Sequence, residues 1–218
     1  MTPDLDPDRH LVLAYAPARA RPALEALWRL DVTLGAVVAG AREKMVARIR
    51  LAWWREALER LDTALPPAEP VLQALAGSVL PAGVEGAALA AMEEGWSVLL
   101  DEGPLDATAL QSFAARRGGL LFRYSADLLG ATADVEPAGA RWALVDFARH
   151  SSRPEEAATA MRLAAGIAEP PAWPKTLQPL AMLSLLARRD LAQGGPPFER
   201  QGGPGRMARL LAYRLTGR

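Results

Sequence analysis

Eighteen prolines and eighteen glycines cut this chain into segments whose composition leaves room for helices and little else. Between the breakers Ala, Leu, Arg and Glu dominate, all good helix formers. β-branched residues are scattered, and no stretch alternates apolar and polar residues long enough to form a strand. The punctuation predicts helices at about 8–15, 21–39, 44–64, 70–80, 85–101, 107–130, 137–150, 154–166, 176–193 and 205–216. Pro22 fits the first turn of its helix, and Asp106 is placed as an N-cap. Short connections favour antiparallel neighbours. The expected architecture is an all-α, single-domain antiparallel helical bundle over 1–193. A Gly/Pro linker follows at 194–205 (GGPPFERQGGPG spans Gly194–Gly205), then a basic C-terminal helix at 206–218.

Charge and composition exclude several functions. The 25 basic and 25 acidic residues cancel, whereas phosphate neutralisation calls for a basic excess, so no nucleic-acid partner is expected. There is no cysteine, which removes disulfides, thiol nucleophiles and thiolate metal sites. No apolar run reaches the roughly 20 residues of a membrane span, and the charged start from Met1 to His10 does not read as a secretory signal. The expected compartment is the cytoplasm. No GxSxG elbow or phosphate-binding glycine loop occurs.

The helix at 44–64 carries an unusually wide apolar arc. Met45, Ile49, Ala52 and Trp53 fall on one side, and Leu51, Trp54, Leu58, Leu61 and Leu65 on the next. The expectation is a central helix between neighbours, with Glu56–Arg60 and Arg55–Glu59 pairing i,i+4 on the remaining face. Glu56, Glu59 and Asp62 are spaced i,i+3, but the interleaved Arg55 and Arg60 make a solvated ion-pair face the simpler reading.

Four segments together carry a family resemblance. DPDRHLVLAYAPARARPALEALWRLD (Asp6–Asp31), RIRLAWWREALERLD (Arg48–Asp62), RRGGLLFRYSADLLG (Arg116–Gly130) and PLAMLSLLARRD (Pro179–Asp190) resemble, in register, helices of the squalene/phytoene synthase family. The resemblance is nearest to short members related to the mitochondrial complex I assembly factor. It implies the isoprenoid synthase bundle, whose central cavity holds polyprenyl tails. It also implies head-to-head coupling of prenyl diphosphates, with Mg²⁺ held between two DxxxD motifs on facing helices. Residues i and i+4 share a helix face, so such carboxylates converge on hard cations, which neutralise charge on the leaving group.

This chain departs from that pattern. Only Asp4/Asp8 and Glu102/Asp106 are acidic pairs four apart. The first lies at the ragged N-terminus and the second straddles Gly103-Pro104, so neither is expected inside the bundle. Where the family's first motif falls, LWRLDVTLGAVV offers Asp31 but ends on Gly35. Where the second falls, WALVDFARHSSRPEEA offers Asp146, Arg149 and His150, with His150 and Pro154 in place of aspartates. The metal-dependent ionisation machinery is therefore expected to be missing, with no catalytic residue, no metal ligand and no cofactor. Mg²⁺ enters only if an active transferase is retained.

A residual substrate site remains. By position it comprises Asp31, Gly119, Asp146 and Arg149. Arg48, Arg50 and Arg123 add guanidinium donors suited to an anionic headgroup. Trp53, with Trp28, Trp54, Phe122 and Tyr124, offers apolar lining, although each aromatic alone reads more simply as core. Gly118-Gly119 reads as close helix approach or relief beside a cavity, because glycine in a helix costs about 1 kcal/mol. His150 reads as a helix C-terminal residue favoured by the dipole. The last helix has Arg206, Arg209, Arg214 and Arg218, no acid, and Met207, Leu210, Leu211 and Leu215 on one face. It reads either as a membrane-surface anchor or as a helix docking on the bundle.

The leading expectation is a catalytically degenerate prenyl-lipid-binding or membrane-complex assembly factor. Its partners would be a prenyl diphosphate or other isoprenoid lipid, a protein, and a peripheral membrane contact at the inner face through 206–218. An active transferase and a structural helical partner with no cavity are the rivals.

Overall fold

The computed structural model describes residues 4–168 and 173–216, and every element among them is helical. The α-helices are α1 (Pro7–Ala14), α2 (Arg21–Ala39), α3 (Lys44–Arg60), α4 (Pro70–Ser78), α5 (Gly86–Ser97), α6 (Ala107–Phe113), α7 (Leu120–Leu128), α8 (Glu136–His150), α9 (Pro154–Ala165), α10 (Gln178–Ala192) and α11 (Pro204–Thr216). The residues expected at 107–130 do form one continuous helical path. It opens on Asp106, whose carboxylate accepts from Ala109 N at 2.7 Å. The path joins α6 to α7 through a π-helical turn at Ala114–Gly119.

The central helix is α2, not α3. Leu24, Leu27, Trp28, Leu30 and Leu34 are wholly buried around much of its circumference, and it packs against α3, α4, α5 and α7. The indole of Trp28 satisfies its N–H by donating to Ser125 Oγ at 3.0 Å. The expectation of a central α3 is corrected accordingly. Ala47, Leu51, Trp54, Ala57 and Leu58 face the core, while Met45, Val46, Ile49 and Trp53 stand in solvent. Arg55 does pair with Glu59, at 3.3 Å. Asp62, however, leaves the expected acidic row and caps α5, accepting from Gly86 N at 2.6 Å and Ala87 N at 2.9 Å.

Two glycine contacts decide how closely the helices around the π-turn approach. A Cβ on Gly118 would lie 2.1 Å from the carbonyl oxygen of Gly139 on α8, and one on Gly139 would lie 2.1 Å from that of Gly118. A Cβ on Gly95 of α5 would meet the backbone N of Arg117 at 2.7 Å. Backbone therefore packs on backbone on both sides of this turn, and the side chain of Arg117 is delivered into the interior.

The last helix docks on α10 and α1. Leu210 is fully buried, and Arg206 is 4 % exposed. The Gly/Pro segment before it is packed too: Gly202 N donates to Asp8 Oδ1 at 2.9 Å, and the Phe198 ring lies 4.7 Å from the Arg149 guanidinium. No helix among the described residues is long and apolar enough to cross a membrane.

Candidate functional site: an apolar cavity floored by ion pairs

Between α1, α2, α5, the π-turn and α8 lies a cavity of about 410 Å³. Val32, Val38, Trp96, Leu99, Phe113 and Phe147 form most of its apolar wall, and Arg9, Arg117, Asp146, Asp4, Asp6 and His150 gather at its polar side. Gly35 keeps one wall open to an aromatic: a Cβ there would sit 2.7 Å from the Trp96 ring.

The polar floor is organised by Asp31, the one acid in the second half of α2. Its carboxylate is fully buried, and burial of a charge demands paired donors. Arg117 donates through Nε to Oδ1 at 2.9 Å and through Nη2 to Oδ2 at 3.1 Å. Arg9 Nη1 donates to Oδ2 at 3.0 Å, and the Trp96 indole donates to Oδ1 at 3.2 Å. Arg117 Nη2 also donates to Asp146 Oδ2 at 2.7 Å, so one guanidinium bridges carboxylates from α2 and α8. Around it, the ring centroids of Trp96, Phe113 and Trp142 lie at 4.2, 5.4 and 5.0 Å. This aromatic enclosure stabilises the cation and holds the bridge away from water.

The charge states follow. Burial of Asp146 opposes its ionisation, but Arg117 and Arg9 outweigh that and hold its carboxyl down at about 2. Burial likewise opposes the charge on Arg117, and Asp31 and Asp146 overcome it. Asp6 moves the other way: desolvation raises its carboxyl despite the Arg9 guanidinium at 2.9 Å.

A second ion cluster adjoins the first across a void of about 20 Å³, room for about one water. Arg206 donates to Asp8 Oδ2 at 2.8 Å and Asp190 Oδ1 at 2.6 Å, and Arg149 donates to Asp190 Oδ2 at 2.6 Å. Asp8 thus lies inside the bundle rather than at a ragged end, while Asp4, its i,i+4 neighbour, is mostly exposed. Arg149 belongs to this cluster and lines the small void rather than the large cavity.

The structure brings together Asp31 and Asp146 among the expected site residues and leaves others outside. Arg48 pairs with Asp101 at 3.0 Å on the surface, Arg50 is exposed and Trp53 is 46 % exposed. Arg123 is exposed and lies 3.8 Å from Glu136. None of these four lines the 410 Å³ cavity, because α3 turns that face outward and Arg123 lies on the outer side of α7. Gly119 is buried, but its Cβ position meets Glu136 at 3.6 Å, so it serves the packing of α8. Trp28, Trp54, Phe122 and Tyr124 fill the core. His150 ends α8, with Nδ1 at 2.8 Å from the Asp146 carbonyl.

Sequence reasoning missed Arg9, Arg117, Trp96 and Arg206. A usable signal existed: Asp31 is a lone acid in the apolar stretch LWRLDVTLGAVV, and a charge there requires a buried partner.

The divalent metals that the resemblance implied do not fit these residues. Asp31 and Asp146 face each other from α2 and α8, but a guanidinium already bridges them. Among the described residues no three His, Asp or Glu side chains are grouped to hold a metal ion.

The chain is thus an all-α bundle with a largely apolar cavity between its helices and acidic residues on the cavity's polar side. The squalene/phytoene synthase family model matches residues 3–168, and the chain belongs to that family. No curated protein and no solved structure matches it.

Proposed function

We propose that the protein is a catalytically degenerate member of the squalene/phytoene synthase family, which binds an isoprenoid lipid in the cavity between α2, α5 and α8. In that role it would serve as a lipid-binding or membrane-complex assembly factor. The observation that carries this reading is the Arg117 bridge. The two carboxylates best placed for metal-assisted diphosphate departure are neutralised by a residue of the chain itself, at 2.7–3.1 Å.

The cavity supports the lipid half of the proposal. Its volume falls within the range of small-molecule sites, and its mostly apolar wall with a few convergent polar groups is the usual lining of one. The same cavity weighs against a purely structural bundle with a filled core. A peripheral membrane role is supported by α11, where Met207, Leu211 and Leu215 are exposed on a helix with Arg209 and Arg214 and no acid.

The test is direct. Incubated with Mg²⁺ and farnesyl or geranylgeranyl diphosphate, the protein should release no pyrophosphate above a protein-free control. Turnover would restore the active transferase.

A further inference from the structure

The charges around the cavity say which headgroup it accepts. Its lining holds three acids, Asp4, Asp6 and Asp146, against two arginines, Arg9 and Arg117. Both arginines are already committed: Arg117 to Asp31 and Asp146, and Arg9 to Asp31 and Asp6. Asp31 is a fourth acid directly behind them. The remaining basic group of the lining, His150, lies 3.5 Å from Asp146 Oδ1, so every basic side chain there already faces a carboxylate. Asp4 is mostly exposed and pairs with His10 and Arg29, and a diphosphate entering here would meet Asp6 and Asp146 without the metal or uncommitted guanidinium that an apolar site must supply to hold a buried anion.

Arg9 Nε, 2.9 Å from Asp6 Oδ2, makes no hydrogen bond, and Asp146 presents an acceptor in the same state. Asp146 Oδ2 is taken by Arg117, but among the described residues Oδ1 accepts no hydrogen bond, and its one close basic neighbour is His150 Nδ1 at 3.5 Å. Asp146 is 12 % exposed and lines the cavity. A carboxylate held ionised, with one oxygen that accepts no hydrogen bond beside a largely apolar wall, is an acceptor for a neutral donor such as a hydroxyl.

The geometry points to an uncharged, hydroxyl-bearing isoprenoid as the ligand of this cavity. It would bind without metal, with its chain against Val32, Val38, Leu99 and Phe147 and its hydroxyl donating to Asp146 Oδ1. Arg117, a fixed internal cation between Asp31 and Asp146, occupies the place between the two carboxylates that a bridging metal would need. This inference rests on the isoprenoid-binding reading above and narrows it to a headgroup class.

The experiment compares farnesol with farnesyl diphosphate on the full chain, each with and without Mg²⁺, by tryptophan fluorescence titration (Trp96 lines the cavity) and by thermal melting. The expected result is saturable farnesol binding with a raised melting temperature, indifferent to Mg²⁺, and diphosphate binding weaker by about tenfold or more, a gap of roughly 1.4 kcal/mol or above. Val38→Trp, which fills the chamber from α2, should abolish farnesol binding. Tighter binding of the diphosphate, or binding that requires Mg²⁺, would overturn the headgroup assignment while leaving the isoprenoid reading in place. No binding of either probe would sink both. Farnesol binding undiminished in a folded Val38→Trp variant would place the ligand elsewhere and overturn the assignment. The wild-type comparison stands even if that variant does not fold.

Discussion

Replacing Arg117 by Met tests the ion bridge at its centre. Methionine keeps the aliphatic reach of the side chain but removes three hydrogen bonds to two carboxylates. Asp31 then remains fully buried with only Arg9 and the Trp96 indole as donors, and Asp146 loses its closest counter-charge. Removing one partner of a buried pair leaves an uncompensated charge and costs about 3–5 kcal/mol. For a chain of this size each kcal/mol corresponds to about 2–4 °C in melting temperature, so the variant should melt about 6–20 °C lower. The comparison variant is Arg123→Met, whose guanidinium is exposed and only loosely paired with Glu136 at 3.8 Å. Its loss should be below about 1 kcal/mol. Thermal and urea unfolding followed by circular dichroism would measure both. If Arg117→Met loses less than about 1 kcal/mol, or no more than Arg123→Met, the bridge is not the organising contact of the site and the argument built on it fails.

Other predictions concern the surrounding parts. Asp146 is held at about 2 against its ordinary 3.8, so its ion pairs stabilise the fold above about pH 4 by roughly 2 kcal/mol, and that contribution is lost as pH falls toward 2. Asp6, raised by burial, acts in the opposite sense, since folding favours its protonated form; Asp6→Asn should therefore blunt no part of the acid transition, whereas Asp146→Asn should remove much of its steepness in acid titrations of stability. Gly118→Val should destabilise by more than the 1–3 kcal/mol typical of overpacking, because its Cβ meets a backbone carbonyl at 2.1 Å; Gly119→Ala, with 3.6 Å to its nearest contact, should cost far less in the same melts. Met207, Leu211 and Leu215 changed together to Glu should abolish sedimentation with anionic vesicles while leaving Arg206 and Leu210 docked and the melting temperature near wild type. Vesicle binding that survives this change would eliminate α11 as the membrane contact.

The residues of this chain determine its helices almost unaided. Proline and glycine positions delimit them, and side chains such as Asp106 cap them, because these are effects within a few residues of one another. The family frame is local in the same way: segments such as Arg48–Asp62 and Arg116–Gly130 carry it in their residue order, as the match over 3–168 bears out. Asp31 and Asp146 could be singled out by their position along the chain, but the partners that define them could not. Arg117 lies 86 residues from Asp31, and Arg206 lies 198 from Asp8. Which face of α3 is covered was equally beyond reach, since its apolar arc is wide enough to pack on either side and only the placement of α2 and α5 left Met45, Ile49 and Trp53 in water. Local physics sets what each segment can be. Long-range packing decides which charges end up neutralising one another, and in this protein that choice set an arginine between the two acids at the floor of the cavity.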